Sequence, residues 1–292
     1  MTKPKPNTMK NVNLKLASAS AAIVFFGLTA CNDAVDVAPP DNVISDEVKE
    51  QFTSLGFDVS DITTTDGMEK LDPQNEGGKY LLEGDIVVSQ KDLDNMLSGD
   101  YVNNGEPKLE QYRTTNLVSQ NRTINVIGFT GSGINGLDSK MRTALQQAVD
   151  NFNALNINLT FTLTFGTNFN PFDIVVYRVS GGGGGSAGFP SGGAPFKWVQ
   201  IQSGTSNFST DVVEHVITHE IGHCVGLRHT DYFNRSISCG RGGNEGQAGV
   251  GAIHIPGTPT SADLNSIMLA CFSSNENGEF GQFDRIALET LY

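Results

Sequence analysis

The sequence has few basic residues, few cysteines and no long apolar run. Its 292 residues include 19 Lys and Arg against 32 Asp and Glu, which gives a formal net charge of −13. Because nucleic-acid binding requires clustered basic side chains, we expect no nucleic-acid partner. The longest largely apolar run covers residues 16–30 and is too short for a transmembrane helix. We find no internal repeat, and the length leaves room for one domain with a sizeable core.

One stretch carries recognisable chemistry: residues 219–229 read His-Glu-Ile-Gly-His-Cys-Val-Gly-Leu-Arg-His. On a helix, His219 and His223 lie one turn apart and project from the same face. Gly226 lets the chain leave the helix in a left-handed conformation, so that His229 can return as a third ligand. Three nitrogen ligands leave one position of Zn²⁺ open for water, as in catalytic sites. Glu220 is then placed to act as the general base toward that water.

Other polar residues near this stretch compete for the same roles. His215 lies one turn before His219 and is a rival ligand, although a histidine outside the metal centre is the simpler interpretation. Asp231 follows His229 by two residues and could replace the third ligand or orient the loop, and we favour the second role. His254 has no ligand spacing and stays unassigned.

The motif HEIGHCVGLRHTD resembles the zinc signature of the metzincin metallopeptidases and is similar to that of the bacterial HEIGH-type family. The resemblance implies a zinc endopeptidase that acts on peptide or protein substrates. It extends over residues 122–292, where predicted strands and helices follow in the metzincin order. Met268, in Ser266-Ile267-Met268, resembles the methionine that lies beneath the three histidines in that group.

We predict an α+β fold: a metzincin-like zincin with a twisted, mostly parallel sheet, a long backing helix, a zinc helix and a small C-terminal subdomain. Period-two or apolar patterns predict strands at 123–129, 157–165, 172–177 and 196–202, and helical spacing predicts helices from Asp138 or Ser139 and within 280–292. Ser209 or Asp211 caps the zinc helix, with Asp211 and Glu214 as a candidate capping box. By the resemblance, 196–203 is the sheet edge that pairs with substrate. The glycine-rich stretch 180–193 is interpreted as a flexible surface loop.

The N-terminus predicts export. Lysines at positions 3, 5, 10 and 15 precede the apolar run, so residues 1–30 are a predicted signal peptide. The run ends Leu28-Thr29-Ala30-Cys31, which resembles a bacterial lipobox and predicts lipid on Cys31, although an ordinary signal peptide with an incidental cysteine is the alternative. We expect a monomer at the bacterial outer membrane or cell surface, or one secreted after processing, with membrane contact through the lipid anchor alone.

Between the signal and the zinc domain lie a lipidated tether, residues 31–44, and an acidic pro-segment, residues 45–121. Residues 32–121 hold 19 acidic and 6 basic side chains, against 13 and 9 in residues 122–292. The pro-segment has too few apolar residues for a core of its own. Caps at Ser45 and Ser89 predict two short helices. Residues 80–88 are strand-like, and 100–121 are expected to be exposed.

Leu82-Glu83-Gly84-Asp85 resembles the F-x-G-D motif of astacin-type pro-segments, with leucine in place of phenylalanine. The resemblance implies that Asp85 occupies the open zinc position in the precursor, whereas a plain Gly-Asp turn is the alternative. Release of this ligand would need cleavage in the run 101–121.

With Cys31 lipidated, three cysteines remain, and an exported protein can hold one disulfide among Cys224, Cys239 and Cys271. Three pairings are open, and we favour Cys239 with Cys271. Two functions stay open: an exported zinc endopeptidase made as a zymogen, and a surface lipoprotein with a structural zinc site that binds protein or glycan. Glu220 discriminates between them, because a binding module has no need of an acid there.

Overall fold

The computed structural model describes residues 43–65, 80–98, 111–247, 249–259 and 261–292. The predicted signal peptide, Cys31 and most of the tether lie outside these residues, as does 99–110. All described residues belong to one compact unit that begins at Pro40. None of the helices in this part of the chain is long and apolar enough to cross a bilayer.

The elements in chain order are α1 Asp46–Ser54, β1 Thr63–Thr64, β2 Tyr80–Leu82, β3 Ile86–Val88, α2 Gln90–Leu97, β4 Tyr112–Arg113, β5 Arg122–Phe129, α3 Ser139–Asn153, β6 Leu159–Gly166, β7 Ile174–Val179, β8 Gly185–Ser186, β9 Trp198–Gln202, a 3₁₀ turn Ser203–Asn207, α4 Thr210–Cys224, α5 Ser236–Cys239, β10 Ile253–His254 and α6 Gln282–Leu291. The predicted α+β class with a mostly parallel sheet is confirmed. The sheet order is β6-β5-β7-β9-β8, in which only β8 runs antiparallel to its neighbour.

Helices α3 and α4 pack on one face of this sheet. The main core joins apolar side chains of α3 and α4 to those of β5, β7 and β9, including Ile124, Val176 and Val199. The opposite face is covered by a second cluster around Tyr177 and Trp198, to which Val87 of β3 also belongs. The sheet is therefore covered on both sides, which is typical of parallel strands.

Two expectations about the sheet are wrong. Strand β9 is not the edge, because β8 pairs with its free side. Its residues 198–201 are buried on both faces of the sheet. The glycine-rich stretch is not a flexible surface loop throughout, since residues 185–188 are buried and provide the edge strand.

Side-chain caps fix where the helices begin, as the sequence predicts for α1, α2 and α3. The Ser45, Ser89 and Asp138 side chains each accept a hydrogen bond from a backbone N–H of the first turn. Ser209 caps α4 by accepting from the Val212 N–H. The capping box between Asp211 and Glu214 is therefore wrong, and Glu214 instead accepts from the Asn151 amide.

The segment before residue 122 contacts the rest of the molecule closely. Apolar side chains of α1, α2, β2 and β3 form a cluster with Val250. Strand β4 pairs with β10, and the Thr114 N–H donates to the Gly226 carbonyl. The expected exposure of 100–121 is wrong for 111–118, because Gln111, Tyr112, Thr114 and Val118 are buried.

Candidate metal centre and active site

Three histidines and one aspartate meet at the end of α4. His219 and His223 project from the helix, and His229 returns from the following loop after Gly226, whose φ is +104°. The His229 Nε2 lies 3.2 Å from the His223 Nε2 and 3.3 Å from the His219 Nε2. The Asp85 Oδ2 lies 2.8 Å from the His229 Nε2 and 3.5 Å from the His219 Nε2. All four side chains are buried, and their candidate ligand atoms lie within 4.8 Å of one another.

The other ring nitrogen of each histidine has its own partner. The His219 Nδ1 lies 2.7 Å from the Ile267 carbonyl, and the His223 Nδ1 lies 2.8 Å from the Leu227 carbonyl. The His229 Nδ1 lies 2.6 Å from the Glu245 Oε1. Because these oxygens only accept, each Nδ1 carries a proton, and in the neutral form of each ring the Nε2 has a lone pair available toward the common centre. Partners of this kind orient the histidines of metal sites.

Two of these rings have shifted pKa values. Burial, with repulsion from the other two histidines, holds the pKa of His223 well below its usual range, which keeps the ring neutral. Burial also favours a neutral His229, but the attraction of Asp85 and Glu245 outweighs it and raises the pKa. Without a metal, His229 therefore holds a proton that a bound metal would displace.

Glu245 contacts the third histidine, and the motif did not reveal it. It is fully buried, and its Oε2 lies 3.4 Å from the Arg228 guanidinium, while its Oε1 lies 3.5 Å from the Arg235 Nε. Burial alone would raise the pKa of Glu245, but His229 and Arg228 hold it below its usual range. The only available signal was that Glu245 is the sole acid between Asp231 and Asp263.

Glu220 lies beside the cluster with one carboxylate oxygen free. Its Oε2 is buried without a hydrogen-bond partner, and burial, with repulsion from Asp85, raises its pKa well above the usual range. A Cβ at Gly185 would lie 2.6 Å from the Glu220 Cγ and Oε1, so glycine in β8 makes room for this side chain. A cavity of about 360 Å³ opens along Glu220, His219 and Asp85.

The segment around Met268 packs against α4 and holds one of the histidine partners. A Cβ at Gly222 would lie 2.6 Å from the Met268 Sδ, so the helix approaches this methionine closely. The buried Asp284 accepts from the Ile267 N–H at 3.0 Å and from the Ser266 hydroxyl at 2.6 Å. These bonds fix the Ile267 carbonyl that orients His219.

Asp85 reaches the histidines from the turn of the β2–β3 hairpin. Glu83 and Gly84 adopt positive φ values of 58° and 93°, which aim the next side chain inward. The Ala187 N–H donates to the Asp85 carbonyl at 2.9 Å, and the Val87 N–H donates to the Ala187 carbonyl at 2.7 Å. The hairpin therefore extends the sheet edge beside β8.

The remaining polar candidates lie outside the cluster. The His215 Nδ1 faces Glu276 at 3.8 Å, and the His254 Nε2 is 3.3 Å from the Thr258 hydroxyl. Asp231 accepts from the Ala270 N–H and from the Ser238 N–H and hydroxyl, so it holds loops together.

The cysteines follow the favoured pairing in the structure. Cys239 is joined to Cys271, and Cys224 is a buried free thiol of α4. The disulfide links α5 to the segment that follows Met268.

The site combines three buried histidines at a helix end with an adjacent acid, beside the edge strand of a mostly parallel sheet. These features are those of a metallopeptidase. The chain belongs to the Dual-action HEIGH metallo-peptidase family, whose sequence profile matches residues 80–292. The predicted family is thus confirmed, and the match includes the hairpin that carries Asp85. As a member of this family, the chain acts on peptide or protein substrates.

Two solved structures of myroilysin are similar to this chain. One shares 14% identity over 60% of this chain and 81% of that chain, with a TM-score of 0.39. The other shares 16% identity over 61% and 86%, with a TM-score of 0.38. Among proteins with curated descriptions, none matches the sequence.

Proposed function

We propose that this protein is an exported zinc endopeptidase made as an inactive precursor. This proposal is supported mainly by the three histidine Nε2 atoms, which lie close together. The Nδ1 atom of each ring is held by a separate acceptor. Next to them, one carboxylate oxygen of Glu220 has no hydrogen-bond partner. His219, His223 and His229 are the proposed metal ligands, and Glu220 is the proposed catalytic residue.

The donor set fits Zn²⁺. Four donors about 2.0–2.1 Å from a common centre, at the corners of a tetrahedron, lie roughly 3.3 Å apart. The distances of 3.2 and 3.3 Å between histidine nitrogens match this separation, and those of 2.8 and 3.5 Å to Asp85 lie on either side of it. When bound, Zn²⁺ supplies a Lewis acid that polarises a carbonyl and lowers the pKa of a bound water to about 7.

The chain's own residues then move the proton. The Glu220 carboxylate accepts a proton from the attacking water as the new C–O bond forms. It passes that proton to the leaving nitrogen as the C–N bond breaks, so the carboxylate returns to its starting state. Burial and the absence of a competing hydrogen-bond partner suit Glu220 to this role. They also disfavour a binding lipoprotein with a structural zinc site, because an unpaired buried carboxylate is costly when it has no task.

Latency is proposed to come from Asp85. Its carboxylate lies where a fourth ligand would be, and its hairpin is held by Ala187, by the apolar cluster with Val250 and by the Arg235 guanidinium, which donates to the Glu83 carbonyl. No cysteine lies between Cys31 and residue 122, so a thiolate from this segment is unavailable.

The cleavage that releases the hairpin is proposed to lie between residues 101 and 110, outside the described residues. The cleavage run 101–121 expected from the sequence is narrowed, because residues 111–118 pack against the loop that carries His229. Arg228 donates its backbone N–H to the Tyr112 carbonyl, and Thr114 donates to Gly226. The segment from 111 onward would therefore stay with the catalytic part of the chain.

Activity and zinc content of three variants of the full chain, compared with the wild type, test these roles. Asp85→Ala should raise peptidase activity on casein without proteolysis, whereas Asp94→Ala, a change of an exposed acid in the same segment, should leave it unchanged. Glu220→Gln in the Asp85→Ala background should keep zinc and lose roughly 10²–10⁴-fold in rate. Cleavage at an undiminished rate by the Glu220 variant would refute the mechanism. Equal activity of the wild type and Asp85→Ala, with water rather than carboxylate found at the metal, would refute latency.

We further propose that the mature protein is a monomer, anchored by lipid on Cys31. The support is the sequence alone, since Cys31 ends the apolar run of a signal peptide. Detergent-phase partitioning should be lost in Cys31→Ser, and unchanged partitioning would rule out the anchor.

A further inference from the structure

The active-site cavity continues away from the metal cluster along α4. One end is formed by Asp85, His219 and Glu220, and the other lies between α4, the glycine-rich stretch before β8 and the segment after Met268. Apolar side chains Val216, Leu269 and Phe272 form much of the far end, and the residue 183–185 backbone closes one side. This far end is a recess with apolar side chains next to the reacting groups.

His215 is a buried polar residue of this recess. The residue is 4% exposed, and its Nε2 is buried without a hydrogen-bond partner. It lies one helical turn before His219 on the same face, or about 5.4 Å along the axis. A substrate residue that adjoins the cleaved bond can span this distance with its side chain. Gln202, another polar residue there, already accepts from the Gly183 N–H.

The surroundings of His215 make its Nε2 an acceptor. Its Nδ1 faces the Glu276 carboxylate at 3.8 Å, which favours the proton on Nδ1. Burial, with repulsion from His219, lowers the pKa of His215 to about 4, so the ring is neutral near pH 7. A neutral imidazole with its proton on Nδ1 offers a lone pair at Nε2.

An occupant of this recess needs an apolar body and a hydrogen-bond donor at its tip. We propose that the recess binds a tyrosine side chain next to the cleaved bond, and that His215 selects this side chain by accepting a hydrogen bond from the phenol hydroxyl. The aromatic ring would pack against Leu269 and Phe272, and the hydroxyl would satisfy the His215 Nε2. Phenylalanine would fill the same space but leave that atom unpaired, which costs free energy. The inference rests on the proposed peptidase function and names its substrate preference.

The first experiment needs no catalysis. The zinc-loaded full chain, labelled with ¹⁵N-histidine, is titrated with 4-methylphenol and with toluene, the side-chain analogues of tyrosine and phenylalanine. We expect 4-methylphenol to bind about threefold to tenfold more tightly, as one neutral hydrogen bond allows, and to shift the His215 Nε2 signal. His215→Phe should abolish this preference. His254→Phe, the same change outside the cavity, should keep it.

The second experiment uses a peptide library with the full-length Asp85→Ala protein. Tyrosine should be enriched over phenylalanine at one position beside the cleaved bond, and His215→Phe should remove the enrichment. Equal binding of the two analogues by the wild type would overturn the proposal whether or not the variants fold. Enrichment of tryptophan or of aliphatic residues in place of tyrosine would do the same. Selective 4-methylphenol binding without any cleavage would instead refute the peptidase function and leave the recess assignment standing.

Discussion

Replacing Glu245 with glutamine tests how the third histidine is held. The change keeps the shape of the side chain but removes the charge that lies 2.6 Å from the His229 Nδ1. Losing such a charged partner typically weakens metal affinity 10–100-fold, because a neutral amide oxygen holds the ring N–H less strongly and leaves the ring a less basic ligand. The change also leaves the buried Arg228 without its counter-charge, since the pair is 0% exposed on both sides.

The expected loss of stability follows from that pair. Removing one partner of a buried ion pair costs about 3–5 kcal/mol. Arg228 still donates to the carbonyls of Gln247 and Gly251, so we expect the lower end, about 3 kcal/mol of unfolding free energy.

Zinc affinity, measured by competition with a chromogenic chelator, and urea unfolding with chelator present separate the two effects. Glu276→Gln is the control, because its carboxylate is 31% exposed and 3.8 Å from His215. That change should cost no more than about 1 kcal/mol and leave zinc binding unaltered. If Glu245→Gln binds zinc as tightly as the wild type and unfolds at the same urea concentration, Glu245 does not position His229.

Two further predictions concern neighbouring elements. In the Asp85→Ala background, Gly185→Ala should displace the Glu220 carboxylate and lower kcat/KM by roughly 100-fold with zinc content unchanged. Gly182→Ala, where a Cβ meets nothing within 4 Å, should have no effect, and equal rates of the two variants would contradict the close approach. Burial and the charges of Glu279 and Asp211 raise the pKa of Glu214 from 4.5 to about 7. The stability that the Glu214 side chain contributes is therefore present below pH 4.5 and is lost as the pH rises to about 7. Glu214→Gln should therefore raise the melting temperature at pH 8 and barely change it at pH 4, and equal shifts at both pH values would show that this pKa is not raised.

The sequence predicted well those features that depend on local chemistry. Helices α1, α2 and α3 begin at the predicted caps because a serine or aspartate side chain accepts from its own first turn. The motif brought His219, His223 and His229 together because helix spacing and one glycine determine their relative positions. Such contacts span few residues, so their pattern is visible in the chain itself.

The sheet edge could not be predicted in this way. Strand β8 consists of Gly185 and Ser186, which have neither the alternation nor the β-branched side chains of a strand. Its glycine is needed because Glu220, 35 residues later, occupies the space of a side chain. A glycine-rich sequence indicates a loop when only its neighbours along the chain are considered.

The 111–118 segment was misjudged for a related reason. It is polar, and polar sequences usually lie at the surface. Here the Gln111 amide nitrogen donates to the Ser266 hydroxyl and to the Asp284 carboxylate, so its donor is satisfied inside the protein. Those partners lie more than 150 residues away and cannot be identified from spacing.

The buried charges around His229 could not be predicted from spacing either. They connect the orientation of His229 with the latency proposed for Asp85. Arg235 lies 3.5 Å from the Glu245 carboxylate that orients His229, and it also donates to the Glu83 carbonyl in the hairpin that carries Asp85. Burial and repulsion from Glu245 raise the pKa of Glu83 well above its usual range, so Glu83 can stay neutral here. The hairpin is thus accommodated beside Glu245 without a second full negative charge. The contacts that place Asp85 at the cluster and those that orient the third histidine share one arginine, and neither set follows from the motif.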